Sequence, residues 1–256
     1  FNKKKLNLKN FKYFTSIEET LENADFIQEC ATENYSIKIK LMNKIGKIAK
    51  PNVIISSSSS GLLPTKIYSK CKNPSRAMIG HPFNPVYLLP AVEIVPGKKT
   101  SRKYLNQAKN FYKSMAMNPI MLKHELPGYL SDRLQEALWR EGLHIINEGH
   151  ATTKDLDRAI EDGPGLRWSL MGTFLTFHLA GGKHGMKHML EQFGPALKLP
   201  WTKLKAPKLS YKLIDRLVKG TKEQSKGKSV TNISNIRDQY LVELQKLRKK
   251  YEKKLR

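Results

Sequence analysis

The chain is short of acid: 22 Asp and Glu stand against 46 Lys and Arg in 256 residues, a formal net charge of +24. Cysteine is scarcer still. Cys30 and Cys71 sit in unlike contexts, which excludes a disulfide framework and the paired spacing of a structural zinc site, and points to a reducing compartment such as the cytoplasm. No run is long and apolar enough to span a bilayer, and no signal-peptide pattern is visible. No G-x-S-x-G elbow occurs, so a hydrolase serine of that kind is excluded. Nor is there a G-x-G-x-x-G; the nearest approach, AGGKHG at 180–185, lies in a helical stretch rather than after a strand.

The positive charge is present but poorly placed for nucleic acid. Residues 1–14 carry five Lys and no acid, and residues 221–256 carry eleven basic residues against four acidic ones, together half of the net charge. No zinc-finger spacing or RNA-binding aromatic motif accompanies them, so a solvated lysine-rich surface is the favoured reading over nucleic-acid binding. The length is enough for a sizeable core and for two domains.

Short apolar runs alternate with helical periodicity up to about residue 125. The expected strands are Phe26–Cys30, Val53–Ile55, Ala77–Ile79, Val92–Val95 and Pro119–Leu122. Between them Ile37, Leu41, Ile45 and Ile48, and later Leu105, Ala108, Tyr112 and Met115, recur at helical spacing. Strands alternating with helices predict an α/β fold with a mostly parallel sheet. Pro127-Gly128 then punctuates, a long helix is expected over Tyr129–Asn147 with a stop at Gly149, and Thr152 with Asp155 forms a candidate capping box. From there the chain reads as helical to its end, finishing on a stripe of Ile233, Ile236, Tyr240, Leu244, Leu247, Tyr251 and Leu255. The expected domains are therefore 1–125 and 126–256.

Ser60, His81 and Asn84 fall at expected strand ends, where open α/β sheets bind ligands. Ser60 follows the strand NVII; taken alone it is a turn serine bonding its own backbone. His81 and Asn84 lie in IGHPFNP, a loop stiffened by Pro82 and Pro85. Glu93 interrupts the apolar AVEIV, and a buried carboxylate needs a partner, for which a histidine is well suited. Asp132, just after Pro-Gly, also reads as an ordinary first-turn acid. Trp168, Phe174, Phe177 and Trp201 read as core, with a cation-binding aromatic cage as the sharper alternative. Together, Ser60, His81 and Glu93 favour catalysis.

In order and spacing, SSSSSGL, GHPFNP, VEIV and PGYLSDRL resemble the 3-hydroxyacyl-CoA dehydrogenase superfamily. The longer stretches GHPFNPVYLLPAVEIV, DRLQEALWREGLHIINEG, GPGLRWSLMGTFLTFHLAGG and EQFGPALKLPW resemble its L-carnitine dehydrogenase subgroup, and the likeness covers about residues 15–225. The resemblance implies a partial Rossmann domain followed by an all-helical domain, a homodimer and NAD as cofactor. It also implies that the first βαβ unit, with its glycine loop, lies before Phe1. It implies His81 as general base, Glu93 as its orienter and Ser60 as a partner of the substrate oxygen. Asn84, Glu33 and Lys38 match positions that line the cofactor site. Asp132 departs from the asparagine of acyl-CoA members, which suits a trimethylammonium substrate such as L-carnitine. For the substrate carboxylate, Arg167 is one basic candidate among several. The readings set against oxidation of L-carnitine are a 3-hydroxyacyl-CoA dehydrogenase and a non-catalytic basic remnant.

Overall fold

The computed structural model describes residues 8–169, 172–202, 208, 210–216, 218, 226, 228 and 230–255. Five short strands, β1 (Phe26–Glu29), β2 (Ile54–Ser57), β3 (Ala77–Pro82), β4 (Ala91–Pro96) and β5 (Asn118–Met121), form one sheet in sequence order. β1, β2 and β3 are parallel; β4 turns back antiparallel to β3, and β5 runs parallel to β4. The α/β expectation holds, and the expected strands lie within a few residues of those observed.

Helices cover both faces, which is why the strands are apolar on both sides. α1 (Ile17–Leu21), α2 (Tyr35–Ile48) and α3 (Pro64–Ile67) pack on one face over Ile27, Ile55, Ile79 and Val95. α4 (Arg102–Ser114) packs on the other over Ile54, Met78, Val92 and Ile94. The inward face of α2 is rotated about one residue from the stripe expected of it. Lys38, Met42 and Ile45 are buried while Ile37 is 45% exposed. The rotation follows from what β1 offers: a buried carboxylate, Glu29, opposite Lys38. Asn34 starts α2 by accepting the Ser36 and Ile37 amides. At its other end the buried Arg76 guanidinium donates to the Gly46 and Ala49 carbonyls, satisfying groups the helix itself leaves open.

The chain divides into two compact units, Phe1–Gln135 and Glu136–Arg256. α5 (Ser131–Glu148) ends at Gly149, whose φ of +80° is the left-handed geometry that stops helices. In the second unit Arg216 donates to the carbonyls of Ile146 and Asn147 at that helix end. The Thr152–Asp155 capping box opens α6 (Thr153–Glu161) as expected, and α7 (Pro164–Trp168) follows. Trp168, Phe174, Phe177 and Trp201 are not core in this chain, being 38%, 84%, 45% and 71% exposed. α8 (Thr173–Ala180) carries Phe174, Leu175, Phe177 and Leu179, and its neighbour α9 (Gly185–Phe193) leaves all four exposed. The terminal helix Val230–Leu255 likewise leaves Ile236, Tyr240, Leu247 and Tyr251 exposed. Among the described residues no helix is long and apolar enough to cross a membrane, and Cys30 and Cys71 are free.

Candidate active site

His81 is a strand residue, not the loop residue its prolines suggested. It lies inside β3, directly opposite Glu93 in the antiparallel register with β4. Side chains of facing residues in such a pair share one side of the sheet, so a separation of twelve along the chain becomes a contact. The His81 Nδ1 and a Glu93 carboxylate oxygen are 3.1 Å apart. Both are buried, Glu93 completely. The other Glu93 oxygen accepts from the backbone N–H groups of Leu130 and Ser131, each at 3.0 Å, and from the Ser131 hydroxyl at 3.3 Å. Glu93 therefore joins β3 to the first turn of α5, where free amides and the helix dipole favour an anion.

Burial pushes the Glu93 carboxyl up, but the bonds from His81 and from the Ser131 and Leu130 amides outweigh it and hold it below its ordinary range. An ionised Glu93 accepts a hydrogen bond from the Nδ1–H group and leaves Nε2 as the basic nitrogen. The Phe83 ring, 4.8 Å away between centroids, and the Tyr129 ring, 5.7 Å away, flank the imidazole. Tyr129 is itself pinned by donating to the Leu62 carbonyl at 2.7 Å.

Asp132 approaches from the opposite side. Its carboxylate lies 3.9 Å from His81 Nε2, too far for a hydrogen bond and close enough for a strong field. Burial, with the Glu93 charge adding to it, raises its pKa even though His81 opposes the shift.

Of the remaining expected residues, Glu33, Lys38 and Ser60 gather beyond the carboxyl ends of β1 and β2, while Asn84 and Arg167 lie elsewhere. Glu33 accepts from the Ser59 hydroxyl at 2.6 Å and from the Ser60 and Gly61 amides at 3.0 and 3.4 Å. Burial raises its carboxyl, but Ser59, the Lys38 ammonium and the two amides win, and it is held below its ordinary range. Lys38 is buried and lies 3.5 Å from Glu33. Ser60 is exposed, and its hydroxyl has no partner among the described residues. Asn84 is exposed beyond β3, next to the cis Asn84–Pro85 bond. Arg167, in the second unit, is exposed. Among the described residues no three His, Cys, Asp or Glu could hold a metal ion.

Glu29, Ser57, Ser59 and Ser131 belong to this polar region and were not picked out from the sequence. For Glu29 the signal was available: it is an acid closing a strand whose other buried residue, Ile27, is apolar.

Residues 2–125 match the model of the 3-hydroxyacyl-CoA dehydrogenase NAD-binding domain, and residues 128–228 match that of the family's C-terminal domain. The chain belongs to the 3-hydroxyacyl-CoA dehydrogenase family. It is 54% identical over 231 residues to an L-carnitine dehydrogenase of Pseudomonas putida, covering 90% of this chain and 72% of that one. An L-carnitine dehydrogenase of Oceanobacillus iheyensis is 49% identical, over 91% of this chain and 76% of its own. Among solved structures, 5-formyl-3-hydroxy-2-methylpyridine 4-carboxylic acid 5-dehydrogenase superposes with a TM-score of 0.75 at 20% identity, over 91% of this chain and 76% of that one. The Escherichia coli 3-hydroxybutyryl-CoA dehydrogenase gives 0.60 at 24%, over 83% and 43%. Both likenesses concern the fold. Family membership makes the chain an NAD-dependent dehydrogenase, with the Rossmann-like sheet and helical second half that the family shares.

Proposed function

We propose that this protein oxidises the 3-hydroxyl of L-carnitine to 3-dehydrocarnitine with NAD. The observation that carries the reading is His81 between two carboxylates, Glu93 on Nδ1 and Asp132 facing Nε2. The similarity to L-carnitine dehydrogenases at 49–54% identity supports the substrate.

The hydroxyl of the substrate sits at Nε2, and the Ser60 hydroxyl donates to the same oxygen. His81 takes the hydroxyl proton as the C3–H bond breaks and the carbonyl forms. NAD, when bound, supplies the acceptor for the hydride leaving C3. Glu93 holds the imidazole in the required tautomer and stabilises the imidazolium that results. Asp132 attracts the quaternary ammonium, which is borne by the carbon next to the reacting one. The polar crest of Glu33 and Ser60 fits the nicotinamide and ribose end of the cofactor, with the buried Lys38 and Ser59 supporting it from beneath and Asn84 beside it. No residue of this chain is assigned to the pyrophosphate.

Residues 1–125 serve the cofactor side and 126–256 the helical side for substrate and self-association. The exposed Phe174, Leu197 and Trp201 support a homodimer, because apolar groups of that size in one half of a chain mark an interface. A small-molecule substrate handled in the cytoplasm, without membrane or nucleic acid, agrees with the rest.

Oxidation of a 3-hydroxyacyl-CoA is the second reading, favoured by the names of both matching family models. NAD reduction measured side by side with L-carnitine, D-carnitine and 3-hydroxybutyryl-CoA decides between them. L-carnitine is expected to turn over fastest, and turnover of the thioester alone would reject the carnitine reading.

A further inference from the structure

We propose that Glu29 and Lys38 form a buried clamp that positions the Ser60 hydroxyl by holding Glu33 under the serine turn. Glu29 ends β1 and is 5% exposed. One carboxylate oxygen accepts from the Ala31 amide and from Lys38 Nζ at 2.9 Å; the other accepts from the Ser57 hydroxyl and from the same Nζ at 3.1 Å. Lys38, 1% exposed, also donates to the Ala31 carbonyl at 2.9 Å and lies 3.5 Å from the second oxygen of Glu33. Glu33 spends its first oxygen on Ser59, Ser60 and Gly61. Charge thus runs from a fully buried carboxylate through an ammonium to a half-exposed carboxylate, and ends on the two amides that set the backbone at Ser60.

A buried ion pair is a poor device for stability alone, since two apolar side chains of similar volume do as well or better. What apolar side chains cannot supply is the last link. The ammonium fixes where Glu33 sits, and Glu33 fixes the turn. Without the clamp Glu33 is free to swing into solvent, and Ser60 loses the bond its amide donates to that carboxylate. Glu29 and Lys38 are positioning residues, since they act through Glu33. The catalytic consequence rests on the role given to Ser60 above; the clamp itself does not.

Two variants of the full chain test the clamp, Glu29→Gln and the double Glu29→Gln/Lys38→Met. The double variant removes both charges and carries the test should the single one fail to fold, because no unpaired charge is then buried. Amide hydrogen exchange at Ser60 and Gly61 is the first readout and needs neither substrate nor cofactor. Exchange there is expected to rise about 10-fold or more in both variants, while Ile55 and Ile79 in the sheet core stay unchanged in the double variant. Unchanged exchange at Ser60 and Gly61 would overturn the proposal. The second readout is steady-state kinetics with L-carnitine, where kcat should fall about 10-fold to 100-fold with the thermal midpoint of the double variant near that of the parent. Adding Ser60→Ala to the double variant should cost little more, since the clamp acts through that hydroxyl. Additive losses, or full activity in the double variant, would overturn it. If the parent fails to turn over L-carnitine but the exchange result holds, the proposed substrate is wrong and the clamp stands.

Discussion

Replacing Asp132 by asparagine removes one negative charge beside His81 Nε2 while keeping the size of the side chain. The carboxylate lies 3.9 Å from that nitrogen. With the hydroxyl of L-carnitine at Nε2, the cationic nitrogen, one carbon further on, stands roughly 4–6 Å from the carboxylate, and Coulomb attraction at about 5 Å is worth ~1 kcal/mol in a water-like medium and ~3 kcal/mol near a protein surface. The trimethylammonium has no N–H, so no hydrogen bond adds to this. Because the Asp132 side chain is 36% exposed, the lower part of the range applies. A loss of about 1–2 kcal/mol corresponds to a rise of roughly 5-fold to 30-fold in KM for L-carnitine. The assay is NAD reduction with L-carnitine and, separately, with an uncharged 3-hydroxy acid of similar length. KM for the uncharged acid should stay the same or fall. Equal changes for both substrates would refute the electrostatic argument, and would leave Asp132 as a first-turn acid of α5.

Because the pKa of Asp132 is raised, its charge is lost at a higher pH than for an ordinary aspartate. KM for L-carnitine should therefore climb on acidification before kcat changes on that account, and the climb should vanish in Asp132→Asn. Glu93→Gln should lower kcat by about 100-fold or more, since the amide does not stabilise the imidazolium and the Nδ1 proton is no longer held. Glu93 is held below its usual 4.5, so its contribution to stability is complete above that value and disappears as pH falls through the lower, folded-state value. Urea melts at pH 7 and at pH 3 should show the stability gap between parent and Glu93→Gln closing at the lower pH. Gly80→Ala should destabilise the fold by about 1–3 kcal/mol, because a methyl group there overlaps the hydroxyls of Tyr112 and Ser56. Those hydroxyls are bonded to each other at 2.8 Å, and Gln28, which accepts from Tyr112, donates to the Gly80 carbonyl. Thermal denaturation measures the loss.

Much of the first unit was legible along the chain. The strands before Ser60 and at AVEIV are short β-branched runs bounded by turn residues, and such local signals survive folding. The apolar stripe of α2 was legible only in part. Periodicity named Ile37 as inward, but the buried position beside it is Lys38, since a lysine is drawn inside only by a carboxylate across the interface. That partner sits nine residues away on a strand, beyond the reach of helical spacing. The aromatic residues of α8 and of the segment ending at Trp201 looked like core because burial is what large apolar side chains most often do; whether a second surface covers them is not written in their spacing.

By itself, then, the sequence determined the alternation of strand and helix, the turn residues and the capping box that bound them, and the polar residues left standing at strand ends. These depend on contacts within a few residues. The tertiary structure alone decided that β4 runs back along β3, so that His81 faces Glu93, and that α5 begins where its free amides meet the same carboxylate. It alone set Asp132 against Nε2 and ran Glu29 through Lys38 and Glu33 to the turn at Ser60. Each of these is a pairing between elements far apart in the chain, chosen by sheet register and by the need of every buried charge for a partner, and neither constraint leaves a local trace.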